Sequence, residues 1–196
     1  MQNHAESPDS PTPSPITESN CTLNLILKQD PTLVKSRKVE IIVLDVDTIS
    51  PHFALACIEA LKALGHHFHG LDLAFQHIPH DWRATNALIS LLSNRRDCIV
   101  MCASEGGLFE YGTDQDILGN LNVLYDHAPD GMRIAGTVVH EPSKVHATVP
   151  AMAKATNAGL RFLGVRGLTA LLEKTGWRLE RVLEKNPVYA VFTLHR

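Results

Sequence analysis

Two aspartates one residue apart, Asp45 and Asp47, close the apolar run Val39 to Asp47 (VEIIVLDVD), and a third, Asp72, stands in His67 to Leu73 (HFHGLDL). Carboxylates at strand ends accept hydrogen bonds from a nucleoside's ribose hydroxyls or exocyclic amine. Aspartate also caps turns, which is the plainer use of the same residues. Further on, Glu105 directly precedes Gly106-Gly107, and Tyr111 follows. Paired glycines let backbone come close to a ligand. Glu105 then suits a base or a substrate-binding carboxylate, and Tyr111 suits stacking. A surface loop is the simpler reading of both. Arg161 and Arg166 could meet an anionic substrate, with solvated charge as the ordinary alternative.

Other chemistry is less well supported. His67 and His69 would share one face of a strand, as metal ligands can. No cysteine or carboxylate completes a set at recognisable spacing, so no metal is expected. The four cysteines show no paired metal spacing. Cys98 and Cys102 flank a predicted buried strand and read as core filling. Ser104 lacks the flanking glycines of a nucleophile elbow. No residue stands out as catalytic.

The elements that must position these groups follow an alternating pattern. Val39 to Asp47 is a β-branched run of the kind covered on both faces. Ser50-Pro51 opens a helix, with Ser50 expected as its cap. Cys57, Ile58, Leu61 and Leu64 give that helix an apolar face, and Gly65 stops it. Strands are predicted at His67 to Leu73, Cys98 to Ala103 and Arg133 to Val139, and helices at Trp82 to Leu92, Asp114 to Leu124 and Leu168 to Lys174. Residues 142–164 are mixed, with alanine-rich helical potential. The last two strands, Trp177 to Glu184 and Tyr189 to His195, join through Lys185-Asn186-Pro187, a link too short for a parallel crossover. The expected fold class is therefore α/β, a doubly wound, mostly parallel (Rossmann-like) sheet with an antiparallel strand at the C-terminus.

A chain of 196 residues has room for one domain with a real core. The proline- and hydroxyl-rich residues 1–21 read as a disordered tail, and 22–196 as the domain, with a short strand at Thr22 to Leu27. A net charge of −3 gives no indication of nucleic acid. No apolar run suits a membrane span and no export signal is recognisable, so a cytoplasmic protein without membrane contact is expected.

The closing stretch, helix, Gly176-Trp177, strand, Asn186-Pro187, Tyr189 and strand, is similar to the end of class I S-adenosylmethionine (SAM)-dependent methyltransferases. Asp97 to Gly112 (DCIVMCASEGGLFEYG) resembles that family's fourth strand and the active-site loop after it. The resemblance covers 39–196 and implies SAM as cofactor. Asp45 or Asp47 would hold the ribose, Asp72-Leu73 would flank the adenine, and Ala103 and Ser104 would line the pocket. Glu105 and Tyr111 would face a substrate, most simply a small molecule.

One part of the family pattern is absent: the first glycine in the chain is Gly65, so no glycine-rich turn precedes Val39. Two registers fit. In the favoured one, Val39–Asp47 is the family's second strand, and the first strand is missing or degenerate within Thr22–Lys38. In the other, it stands in for the first strand without its glycines, and Asp72 becomes the ribose ligand. The missing turn also admits a non-catalytic methyltransferase-like domain or partner subunit, and an uncovered sheet edge would favour a homo- or hetero-oligomer. Asp45-Val46-Asp47 also resembles the nucleophile motif of haloacid dehalogenase-type phosphatases, but Ile49 replaces the hydroxyl residue that motif requires.

Overall fold

The structure, a computed structural model, describes residue 23 and residues 26–196. The expected tail lies outside the described residues. Leu23, Ile26 and Leu27 are helical, which corrects the strand expected at Thr22 to Leu27 for the residues described.

A four-residue helix α1 (Thr32–Lys35) leads into β1 (Val39–Asp45), α2 (Ser50–Lys62), β2 (Leu73–Pro79), α3 (Asn86–Ser93) and β3 (Met101–Ser104). Then come α4 (Leu108–Tyr111), α5 (Asp114–His127), β4 (Arg133–Val139), α6 (Thr148–Ala155), α7 (Gly164–Leu172), β5 (Arg178–Leu183) and β6 (Tyr189–His195). β1 pairs with β2 in parallel, and β3 with β4 in parallel. β6 lies between β4 and β5, antiparallel to both, as the short Lys185–Pro187 link requires. The strands form two sheets, ordered β1-β2 and β3-β4-β6-β5, where one continuous sheet was expected. Among the described residues, the outer edges of β1 and β3 carry no partner strand.

Each sheet has its own core. Ile41 and Val43 of β1 pack with Ala54, Ile58, Phe68 and Leu73. Ile134 and Val138 of β4 and Ala190, Phe192 and Leu194 of β6 are almost fully buried under Ile117 and Leu121 of α5 and Leu168 of α7. Leu44 of β1 packs against this second core. Arg95, after α3, pairs with Glu40 of β1 at 3.0 Å. Thr113 caps α5 through a capping box with Asp116, and the Trp177 indole donates to the Leu121 carbonyl at 2.8 Å.

Several expected boundaries move. The second strand is Leu73–Pro79, not His67 to Leu73. Gly65 and Gly70 adopt left-handed φ of +84° and +78°, and 66–70 curl into turns anchored by buried Phe68. His67 and His69 therefore do not share a strand face. The helix expected from Trp82 starts at Asn86, because Ala84 bonds back to Asp81 in a turn. Cys98 is exposed in a turn before β3 rather than filling the core. Cys102 is half-buried, its thiol pushed up to about 11 by burial.

At the centre of β4, Gly136 leaves room for Phe192. A Cβ there would lie 2.5 Å from Phe192 Cζ and 3.0 Å from the Ser104 carbonyl. Both neighbours belong to the packed sheet and cannot yield cheaply. Gly136→Ala is expected to destabilise the fold by about 1–3 kcal/mol, read as a lower urea midpoint with an unchanged slope.

Candidate functional site at the carboxyl ends of the parallel strands

Parallel pairing sends the chain out of β1 and β2 at the same end of their sheet. Asp45 ends β1 opposite Pro79 of β2. The Asp45 carbonyl accepts the His80 backbone N–H at 3.1 Å and the His77 ring Nε2–H at 3.0 Å, which ties the two exits together. Beyond β2, buried Asn120 of α5 donates from Nδ2 to the carbonyls of Trp82 (2.6 Å) and Asp116 (2.8 Å). The loop leaving β2 is thereby held to a helix that packs on the other sheet. Burial pushes the His80 imidazole below its ordinary value, with Asp81 and Asn120 opposing the shift.

The two aspartates have different duties. Asp47 accepts the Ile49 N–H on Oδ1 at 2.9 Å and the Ser50 N–H on Oδ2 at 3.0 Å. Bonds from the Ser50 hydroxyl and from these amides hold its carboxyl down to about 2. Asp47 thus closes the start of α2. Ser50, expected as the cap, is the first helical residue instead, and Ile49 occupies the cap position without a side-chain bond. Asp45 Oδ1 accepts the Asp47 N–H at 3.0 Å. Its Oδ2 accepts nothing among the described residues, so half of this carboxylate is available to a ligand.

Asp72 and Leu73 fall elsewhere. The Asp72 carbonyl accepts the Val39 N–H at 2.8 Å, so Asp72 precedes β2 at the amino ends of the strands, opposite Asp45. Leu73 pairs with Val39 and is buried in the core. Neither can join a ligand at the carboxyl ends. The cause is the shift of the second strand to Leu73–Pro79.

In the other sheet, Ala103 and Ser104 end β3 beside Ala135 and Gly136. Gly106 turns the chain with φ of +63°, and half-buried Glu105 stands on that turn. Tyr111 lies at the end of α4, its phenol pushed up by burial and then by neighbouring Glu110. Sequence reasoning passed over Glu110. Its Oε1 accepts the hydroxyl of buried Thr137 on β4 at 2.6 Å, and its carbonyl accepts the Arg161 N–H at 2.8 Å. A carboxylate three residues past a glycine pair was the only available signal. Arg161 is held by the Gly112 carbonyl and Asp114, which makes it a strap across the α4–α5 turn rather than a free cation. Among the described residues, no three His, Cys, Asp or Glu side chains group so as to hold a metal ion.

No family model and no curated protein matches the sequence. Solved structures do match. LepI in complex with SAM superposes with a TM-score of 0.56 at 13% identity over 92% of this chain and 40% of its own. OxaC in complex with sinefungin and meleagrin gives 0.54 at 15% over 92% and 41%. A DUF574 family protein from Streptomyces avermitilis gives 0.57 at 14% over 82% and 66%. This chain spans about two-fifths of the length of the first two. The likeness shows the fold, which this chain shares with proteins solved with SAM or sinefungin bound.

Asp47 supplies a direct test of the local geometry. Its lowered carboxyl stabilises the fold fully above the ordinary aspartate value of 3.8, and that contribution is lost as pH falls towards about 2. Asp47→Ala is expected to melt at a lower temperature than the parent chain at pH 7. The gap between them should shrink between pH 4 and pH 2, as followed by circular dichroism.

Proposed function

We propose that this chain is a SAM-dependent methyltransferase-like protein, with residues 22–196 acting as one doubly wound, Rossmann-like domain. The adenosine half of SAM lies over the carboxyl ends of β1 and β3, and a small-molecule acceptor lies beside Glu105, Glu110 and Tyr111. The observation that carries this reading is the free Oδ2 of Asp45 at the end of a parallel strand, in a fold shared with LepI in complex with SAM. The favoured register also has support, because β1 pairs with β2 and not with β3.

The fit to SAM is uneven. Asp45 suits the ribose hydroxyls, and Ala103 and Ser104 suit the pocket wall. The turn from Asp45 to Ser50 holds no glycine, and its amides at Asp47, Ile49 and Ser50 are already bonded. SAM, when bound, supplies an electrophilic methyl group. The chain's part is to orient donor and acceptor, and methyl transfer needs little else. The occupied turn favours a second reading, in which the domain is non-catalytic or serves as a partner subunit.

The setting proposed is cytoplasmic, with no membrane or nucleic-acid partner. Among the described residues no helix is long and apolar enough to cross a membrane. Association with itself or another chain is proposed from the open edge of β3, where Met101 is 58% exposed and Ile99, just before the strand, 69%.

Calorimetric titration of the folded chain with SAM is expected to show micromolar binding. Asp45→Ala should weaken it roughly tenfold to a hundredfold, the worth of hydrogen bonds to a charged group. No heat from a folded chain would overturn the enzyme reading. Unchanged affinity in Asp45→Ala would remove Asp45 from the site.

A further inference from the structure

We infer that the recess between the carboxyl end of β4 and the β5–β6 link binds a small primary amine in its protonated form. The inference is independent of the SAM reading and uses none of the residues assigned to it.

His140, Lys144, Glu184, Asn186 and Pro187 line this recess, whose volume is about 310 Å³. His140 directly follows β4, and its side chain is only 6% exposed. Its backbone N–H donates to the Val188 carbonyl at 2.9 Å and its ring Nε2–H to the Asn186 carbonyl at 3.1 Å. The link that supplies these carbonyls is itself fixed, because Asn186 Oδ1 accepts the Val188 and Tyr189 N–H groups at 2.8 and 3.2 Å. A carbonyl can only accept, so the hydrogen of a neutral ring sits on Nε2 and Nδ1 presents a lone pair. Nδ1 is buried and has no hydrogen-bond partner among the described residues. An unpaired buried acceptor is costly, and a donor that reaches it recovers that cost.

The surroundings of Nδ1 select the charge of that donor. Glu184 Oε1 lies 3.7 Å from Nδ1, so two acceptors stand side by side. One nitrogen bearing several N–H groups reaches both at ordinary hydrogen-bond lengths. The Lys144 ammonium already lies between two carboxylates, 3.2 Å from Glu184 Oε1 and 3.8 Å from Glu141 Oε2. These carboxylates therefore accommodate a primary ammonium, although that of Lys144 makes no bond to Nδ1. With His140 neutral, two negative charges face one positive charge, which favours a cation over an anion. Glu184 and Lys144 are 46% and 51% exposed, so both side chains can swing outward to admit a ligand to Nδ1. A ligand ammonium then replaces that of Lys144 on Glu184 and gains the imidazole as a second acceptor. A neutral hydroxyl gains the imidazole without the charge.

Titration of the full chain with n-propylamine hydrochloride tests this, at pH 8 and constant ionic strength, with NMR of the imidazole rings and backbone amides as the readout. Imidazole is ordinarily neutral and a primary amine charged at that pH. n-Propanol and sodium propionate serve as the neutral and anionic counterparts. Propylamine is expected to give saturable shifts at the His140 ring and at the amides of Glu184, Asn186 and Val188, with both counterparts roughly tenfold weaker or worse. Glu184→Gln should weaken the amine roughly tenfold. Lys144→Met removes the competing ammonium and should tighten it roughly two- to fivefold. Propanol or propionate binding as well as propylamine would overturn the inference. So would saturable binding that leaves the His140 ring unmoved, or no saturable shift in a folded chain. Weaker amine binding by a folded Lys144→Met would also overturn it, because Lys144 would then be part of the receptor and not the competitor.

Discussion

Parallel pairing of β1 with β2, and of β3 with β4, is the constraint on which the site depends. Parallel neighbours cannot be joined by a tight turn, so each pair carries a helical crossover, and both chains of a pair leave at the same end. Asp45 and His80 meet for that reason, and Ser104 lies beside Gly136. Fold and site are the same fact seen at two scales: what makes the strands parallel also gathers their last residues. The antiparallel insertion of β6 leaves this arrangement untouched and gives the second sheet its deepest burial, at Ala190, Phe192 and Leu194.

The two sheets are joined by side chains rather than by a shared strand. Leu44 packs into the larger core, Arg95 reaches Glu40, and Asn120 holds the Trp82 carbonyl. The last of these has the greatest consequence for chemistry. Asn120 is buried and spends its amide N–H groups on two carbonyls, where loss of either partner would leave a buried polar group unsatisfied. It thereby sets where the loop beyond β2 stands relative to α5. Exposed Met101, with Ile99 just ahead of it, marks the opposite condition, a strand edge with no partner strand among the described residues.

Much of this was legible in the sequence. The limits Arg133–Val139 and Tyr189–His195 match the sequence pattern, because near-continuous apolar character in the first and alternation in the second agree with their burial under α5 and α7. The short Lys185–Pro187 link correctly required an antiparallel pair. Failures cluster where local signals competed. The alternation of HFHGLDL imitates a strand, yet two glycines with left-handed φ curl its first half into turns and push β2 on to Leu73. That single shift carried Asp72 to the wrong end of the sheet. Ser50 looked like a cap by type, but Asp47 three residues earlier outcompetes it with two oxygens. Glu110 escaped notice because its partner, Thr137, lies 27 residues away on another strand.

The central claim is that a nucleoside lies at the carboxyl ends of β1 and β3, with Asp45 as its anchor. Backbone amide NMR of the folded chain during addition of S-adenosylhomocysteine tests it most directly. Shifts confined to Asp45–Thr48, His80–Asp81 and Ala103–Gly107 are predicted, with Lys38 and Asp72 unmoved at the opposite end. Shifts centred on Lys38 and Asp72, or saturable shifts that leave Asp45 unaffected, would contradict it.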